Sequence, residues 1–344
     1  MNLASDNDTG ASEEMIEAVA RAARGSAAAY GGDEVTARLD KLFADLFETD
    51  VTVFPLATGT AANSLALAVM TPPYGAIYCH EAAHIANDEC NAPEFYTGGA
   101  KLVPLGGANG KLDAGALNAA IAGATPHGEH NAQPAALSLS QATELGGSYS
   151  LEEIAALTGI ARRHGIGVHM DGARIANSVV HLGCSFADMT WRAGVDALSF
   201  GATKNGALGA EALVFFGGDA AARIPFLRKR GGHLLSKMRF ISAQLEAYLT
   251  DDLWRRNAVH ANAMAQELAA GLGAIPGARL LHPVEANELF IELPAAVLAG
   301  IRGAGHIMPP WGDGEGNAVR LVTAFDTNAA ELETFIAAAI ALAS

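Results

Sequence analysis

VHMDGAR (168–174) and DALSFGATKNGALGAEALVFF (196–216) read as two apolar strands, each running out into a polar payload. Val168-His169-Met170 stops at Asp171, Gly172 turns the chain and Arg174 follows. Asp196 through Phe200 stops at Gly201-Ala202-Thr203, with Lys204 next. Reactive groups of an open α/β sheet gather outside the carboxyl ends of its strands, so Asp171 and Lys204 are expected to face one crevice.

That pair suits pyridoxal 5'-phosphate, which needs a lysine amine to hold it and an acid beside its pyridine nitrogen, because a protonated ring is the better electron sink. Taken singly, Asp171 is a strand-end turn residue and Lys204 a solvated surface lysine. Taken together, with glycines around both and an apolar run after the lysine, they make a candidate site. The same stretches carry a resemblance. MDGARIANSVVHLG (170–183) and SFGATKNGALGAEALVFF (199–216) are similar to the pyridoxal-phosphate-dependent threonine aldolases and their relatives acting on phenylserine-type β-hydroxy amino acids.

The resemblance runs from Ser5 to Arg320 and implies an α/β, aspartate-aminotransferase-like fold, PLP fold type I. The expected architecture is a large doubly wound domain with a mostly parallel sheet plus a small C-terminal α+β domain. We place an N-terminal segment at 1–24, the large cofactor domain at 25–248 and the small domain at 249–344. The resemblance also implies a homotetramer with active sites at dimer interfaces and a small amino-acid substrate.

Composition narrows the alternatives. At 344 residues, half of them hydrophobic, the chain can bury a large core, and bulk disorder is excluded. A net charge of −15 leaves no basic surface for nucleic acid. Apolar runs such as Ile336–Ala343 are too short to span a bilayer. Cys79, Cys90 and Cys184 form no ligand-like pair, and polar NLASDNDTG after Met1 is no secretory signal, so a cytoplasmic protein is expected.

Further site residues follow along the chain. Ser12 before Glu13-Glu14 signals a helix start, and Asn328 with Glu331 reads as a capping box. Val51–Leu56 reads as a buried strand, and Ala57-Thr58-Gly59-Thr60 opens a helix whose free N–H groups suit a phosphate. The match to the family's phosphate cup selects Gly59 and Thr60. By the same resemblance Ser5 helps hold the substrate carboxylate, Tyr30 contacts cofactor or substrate, and His84 stacks on the pyridine ring. Arg174 is placed near the ring oxygen and substrate carboxylate. One of the basic residues of 228–239, among them Lys229, Arg230 and Lys237, is expected to reach a neighbouring subunit's phosphate. Arg320, a charge in the apolar strand AVRLV (318–322), has a fork suited to a carboxylate; the family match gives it the substrate's, and a structural ion pair is the bland alternative.

His127 and His130 near Glu129 lack a metal pattern, and no metal is expected. WGDGEG (311–316) reads as a loop. After the strand Ala136–Ser140, many family members carry a histidine near the reacting β-carbon; here the chain reads SQATELGG. The duty of taking the β-hydroxyl proton is expected to pass to His84, His130 or a water.

The implied activity is cleavage of β-hydroxy-α-amino acids to glycine and an aldehyde. Transamination, racemisation or β-elimination would use the same Lys204 and Asp171 with a different group at the β-carbon. A nucleotide-binding oxidoreductase is disfavoured, since no G-x-G-x-x-G follows the first strand.

Overall fold

The computed structural model describes residues 1–312 and 316–343. Positions 313–315 of the expected glycine-rich loop lie outside the described residues. The larger sheet holds seven strands, β1 (Thr52–Leu56), β2 (Gly75–His80), β3 (Lys101–Leu105), β4 (Gln133–Ser140), β5 (Gly167–Gly172), β6 (Ala197–Gly201) and β7 (Glu211–Phe215), in the order β1-β7-β6-β5-β4-β2-β3. β7 runs antiparallel to both neighbours, so the other six strands share one direction. β6 and β7 are buried at every position, as expected of strands covered on both faces. The α/β, aspartate-aminotransferase-like architecture is therefore the one expected.

Helices cover both faces. α1 (Glu13–Ala22) and α2 (Glu34–Phe47) are amphipathic, and α2 buries Leu39, Phe43 and Phe47 at helical spacing. Phe43 meets Phe200 of β6 edge to face at 5.1 Å between centroids, and Phe47 meets Phe216 at 5.0 Å. α3 (Gly59–Met70) is apolar nearly all round and is buried along almost its whole length, packing on β6 and β7.

Two glycines set the approach of β5 to β6. A Cβ on Gly172 would lie 2.8 Å from the Ser199 carbonyl oxygen, and one on Gly201 would lie 2.5 Å from that of Ala173. Only glycine lets these two strand ends come together, and the strand ends carry Asp171 and Lys204.

A three-stranded antiparallel sheet, β8 (Arg279–Leu280), β9 (Glu288–Glu292) and β10 (Ala318–Val322), packs with the helices Leu253–Gly273, Ala295–Gly303 and Ala329–Ala341 around a second core. Leu3 belongs to this core: its N–H donates to Ile307 O at 3.1 Å, and its carbonyl accepts from Val322 N–H at 2.9 Å.

Two helix starts differ from their expected chemistry. Ser12 stands at the N-cap of α1 but makes no side-chain cap; its hydroxyl accepts from Asn257 Nδ2 at 3.0 Å, a tertiary contact that outcompetes the local one. Asn328 caps its helix by accepting from the Glu331 N–H, and the return bond of a capping box is missing.

Candidate active site

Because six strands point one way, their carboxyl ends line one edge of the sheet. Thr58 and Gly59 follow β1, His84 follows β2, Glu144 follows β4, Asp171 ends β5 and Lys204 follows β6. Antiparallel β7 brings its first residue, Glu211, to the same edge. A cavity of about 260 Å³ there is lined by Gly59, Thr60, Asn63, His84, Asp171 and Lys204, with Glu89, Glu144 and Glu211 among its other walls. A second, of about 680 Å³, shares His84, Glu144 and Lys204 and adds Ser5, Arg174, Trp311 and Arg320. Eight of the nine expected site residues thus border the two cavities.

Tyr30 is the exception. It is exposed, at φ 58°, with the Lys229 ammonium 4.9 Å from its ring centroid, and it borders neither cavity of its own chain. Arg228 lies over Phe54 at 5.4 Å, and neither Arg230 nor Lys237 lines these cavities. His130 sits in a helical turn at the amino end of β4, whereas Glu144 follows its carboxyl end. Eight residues of strand, a rise of about 26 Å, separate the two ends, and His130 borders neither cavity of its own chain.

Asp171 is buried and accepts from Asn63 Nδ2 at 2.8 Å and from the Ala173 N–H at 3.0 Å. The same Asn63 nitrogen donates to Glu89 Oε1 at 2.8 Å, and that oxygen also meets His84 Nδ1 at 2.8 Å. The hydrogen bond to Glu89 raises the His84 pKa against the opposing effect of burial, while burial raises that of Glu89. Both shifts favour the same outcome, a proton held between Nδ1 and Oε1.

Burial pushes Glu211 up to about 7, with a hydrogen bond to Thr203 and the charge of Lys204 opposing. Lys204 itself has no hydrogen-bond or ion-pair partner among the described residues.

The two arginines are engaged. Arg174 forms a bidentate pair with Asp6, Nε to Oδ2 at 2.7 Å and Nη2 to Oδ1 at 2.8 Å, and its Nη1 lies 3.3 Å from Glu288 Oε2. Burial alone would raise the Asp6 carboxyl, but the charge and hydrogen bonds of Arg174 outweigh it and hold it below the usual carboxylate range. Arg320 donates from Nε to Glu288 Oε1 at 3.1 Å, pairs through Nη2 with the same oxygen, and donates from Nη1 to Ala4 O at 3.3 Å. Glu288 therefore bridges the two, and the ion-pair alternative for Arg320 is present in the molecule.

Sequence reasoning missed Asn63, Glu89, Asp6 and Glu288. Asn63 is the one signal that was available, a polar amide inside an otherwise apolar helix.

The chain matches known proteins along its length. A family model described as β-eliminating lyase covers residues 2–296. The low specificity L-threonine aldolase of Pseudomonas aeruginosa is 42% identical over 326 residues, 95% of this chain and 93% of that protein. Among solved structures, the threonine aldolase of Leishmania major superposes with a TM-score of 0.92 at 27% identity, covering 100% of this chain and 99% of that one. The aspartate aminotransferase of Thermus thermophilus, 18% identical, covers 99% of this chain and 91% of its own with a TM-score of 0.73, and shares the fold.

Proposed function

The chain belongs to the β-eliminating lyase family, and from that membership we propose that it is a pyridoxal-phosphate-dependent lyase. Its substrates are β-hydroxy-α-amino acids, L-threonine, L-allo-threonine and the phenylserine type, which it cleaves to glycine and an aldehyde. The observation that carries this is one sheet edge offering a free lysine amine, a buried carboxylate and a helix N-terminus to a single cavity.

The residues present fit the cofactor. Lys204 has an unpartnered amine to hold it covalently, and Asp171, fixed by Asn63, would sit against its pyridine nitrogen. The first N–H groups of α3 have no intrahelical partner, and a Cβ at Gly59 would meet nothing within 4 Å, which leaves a cradle for the phosphate at Gly59 and Thr60. When bound, pyridoxal phosphate supplies an electron sink for the breaking Cα–Cβ bond.

The chain's own groups do the rest. Arg320, Ser5 and Arg174, which line one cavity, would orient the substrate carboxylate. For Arg320 this means exchanging Glu288 for the substrate. His84 would cover the ring face and hydrogen-bond the β-oxygen, whose proton it would accept directly or through water. Tyr30 and the basic stretch 228–239 stand apart from their own cavity, and we give them to the cavity of a neighbouring subunit in a homotetramer. Free Cys79, Cys90 and Cys184 accord with a cytoplasmic location.

The test is direct. Purified protein should be yellow, with an absorption band that borohydride abolishes, and incubation with threonine, allo-threonine or phenylserine should yield glycine and the matching aldehyde. A colourless protein that binds no pyridoxal phosphate overturns the proposal.

A further inference from the structure

Cleavage as proposed above must lift a proton from the β-oxygen, and His84, whose Nδ1 is hydrogen-bonded to Glu89, faces that space through its other ring nitrogen alone. Another group faces the same space. Glu144 lines both cavities alongside His84 and Lys204. Its loop is anchored on either side: Thr143 N–H donates to Gly147 O at 2.7 Å, Thr143 Oγ1 donates to Asn109 O at 2.9 Å, and Gly146 N–H returns to Thr143 O at 3.0 Å.

The side chain is free where the loop is fixed. Among the described residues no hydrogen bond or ion pair reaches the Glu144 carboxylate, and of the carboxylates lining the two cavities Glu144 alone borders both. Asp6 is held by Arg174, Glu89 by His84 and Asn63, Asp171 by Asn63, and Glu288 by both arginines.

We propose that Glu144 is the catalytic acid–base residue for the β-hydroxyl, occupying the post-β4 position at which the sequence lacks a histidine. This rests on the function proposed above. In the cleavage direction one carboxylate oxygen of Glu144 takes the hydroxyl proton, and the O–H electron pair becomes the second bond of the aldehyde C=O. Bound cofactor would supply the sink for the Cα–Cβ pair, a solvent proton taken up at Cα would complete glycine, and Glu144 would return its proton to solvent. No oxidant or reductant is needed.

The surroundings suit the task. Burial raises the Glu144 carboxyl to about 7, Glu288 and Asp171 add to this, and Arg174 and Lys204 oppose it. The other titratable groups on the walls of the two cavities are His84, whose own pKa is raised in part by Glu144, and Glu89, Glu211, Glu81 and Asp88. An acid–base group works best with a pKa near the working pH.

The experiment compares wild-type holoenzyme with Glu144→Gln and Glu144→Asp. Threonine cleavage by Glu144→Gln should fall about 10²-fold or more, and the rise of kcat/KM with pH through neutrality should disappear, while Glu144→Asp keeps that rise. Exchange of the glycine α-proton with deuterated solvent involves no β-oxygen and should fall far less. In infrared difference spectra of the holoenzyme, the protonated-carboxyl absorption that titrates near neutral pH should lose the Glu144 component in Glu144→Gln and keep the Glu211 component. Wild-type cleavage with an unaltered pH profile in Glu144→Gln overturns the proposal, as does an equal loss of cleavage and glycine exchange, the mark of a merely structural residue. A wild-type enzyme that exchanges glycine protons but cleaves no β-hydroxy amino acid overturns the proposed function and this inference together, and is told apart because the parent protein itself is inactive.

Discussion

Asn63 donates its side-chain amide to Asp171 Oδ2 at 2.8 Å from the middle of a helix with few other polar groups. The same nitrogen serves Glu89, so one amide fixes both carboxylates. Asn63→Leu leaves them facing each other with no shared donor. A buried group left unsatisfied costs about 1–3 kcal/mol, so cofactor affinity should weaken by about 10-fold or more in a spectral titration. Asp171→Asn should go further and lower kcat by about 10²–10³-fold, the scale of one lost preorganised electrostatic contact. Near-normal turnover in Asp171→Asn would remove Asp171 from the ring nitrogen.

Lys204→Ala should abolish covalent attachment. After borohydride reduction and digestion, the wild-type protein is expected to yield a labelled peptide containing Lys204, and the variant none. A labelled peptide at another lysine would displace Lys204 from its role.

Arg320→Lys keeps the charge and loses the fork that meets Glu288 now and the substrate carboxylate in the proposed complex. The expected result is a rise in KM for threonine with the cofactor spectrum unchanged. Unchanged kcat/KM would leave Arg320 as a partner of Glu288 alone.

His84→Phe preserves a flat surface over the ring and deletes the bond to Glu89. Cofactor should be retained while kcat for threonine falls, by up to about 10²-fold. His130→Phe, altered at the far end of β4, should cleave threonine at the wild-type rate. The reverse pattern would reinstate His130.

Stability should depend on pH through Glu211. Its carboxyl is held at about 7 in the folded chain against an ordinary 4.5, so the folded state binds a proton that the unfolded state releases. Its contribution is fully present below the unfolded value and is lost as pH rises through the folded one. The melting temperature of cofactor-free protein should therefore drop between about pH 5 and about pH 8, and Glu211→Gln should drop less. Asp6 has the opposite sign but acts below its ordinary 3.8, outside this window. Equal slopes in wild type and Glu211→Gln would contradict the assignment.

Asp171 and Lys204 were legible because strand direction is a local property: an apolar run followed by a polar residue and glycine marks a carboxyl end wherever it lies in the sheet. Their neighbours were not, because the neighbours depend on strand order. Asn63 reaches Asp171 across 108 positions of sequence only because α3 lies against β5 and β6. Glu288 meets Arg320 because β9 and β10 pair with Leu289 opposite Leu321, a register that ELFIE and AVRLV do not encode separately. Glu144 stood inside the quoted SQATELGG and was read as the absence of a histidine; burial raises its pKa, and the charges that add to or oppose this, Glu288 and Arg174 among them, come from distant parts of the chain. Tyr30 is the converse case, a position set by resemblance that lies away from the cavity of its own chain.

The first residues of the chain join what the sheets keep apart. Leu3 lies in the core of the smaller sheet, and three positions later Asp6 grips Arg174, which follows β5 of the larger one. Asn287, at the start of β9, donates to the same Asp6 at 3.0 Å. Opening either core would expose Leu3 or strand the buried charge of Arg174, so a single melting transition is expected by calorimetry, and two resolved transitions would contradict this coupling. The N-terminal segment thereby ties the two cores to each other beside the larger cavity, which Ser5 and Arg174 line.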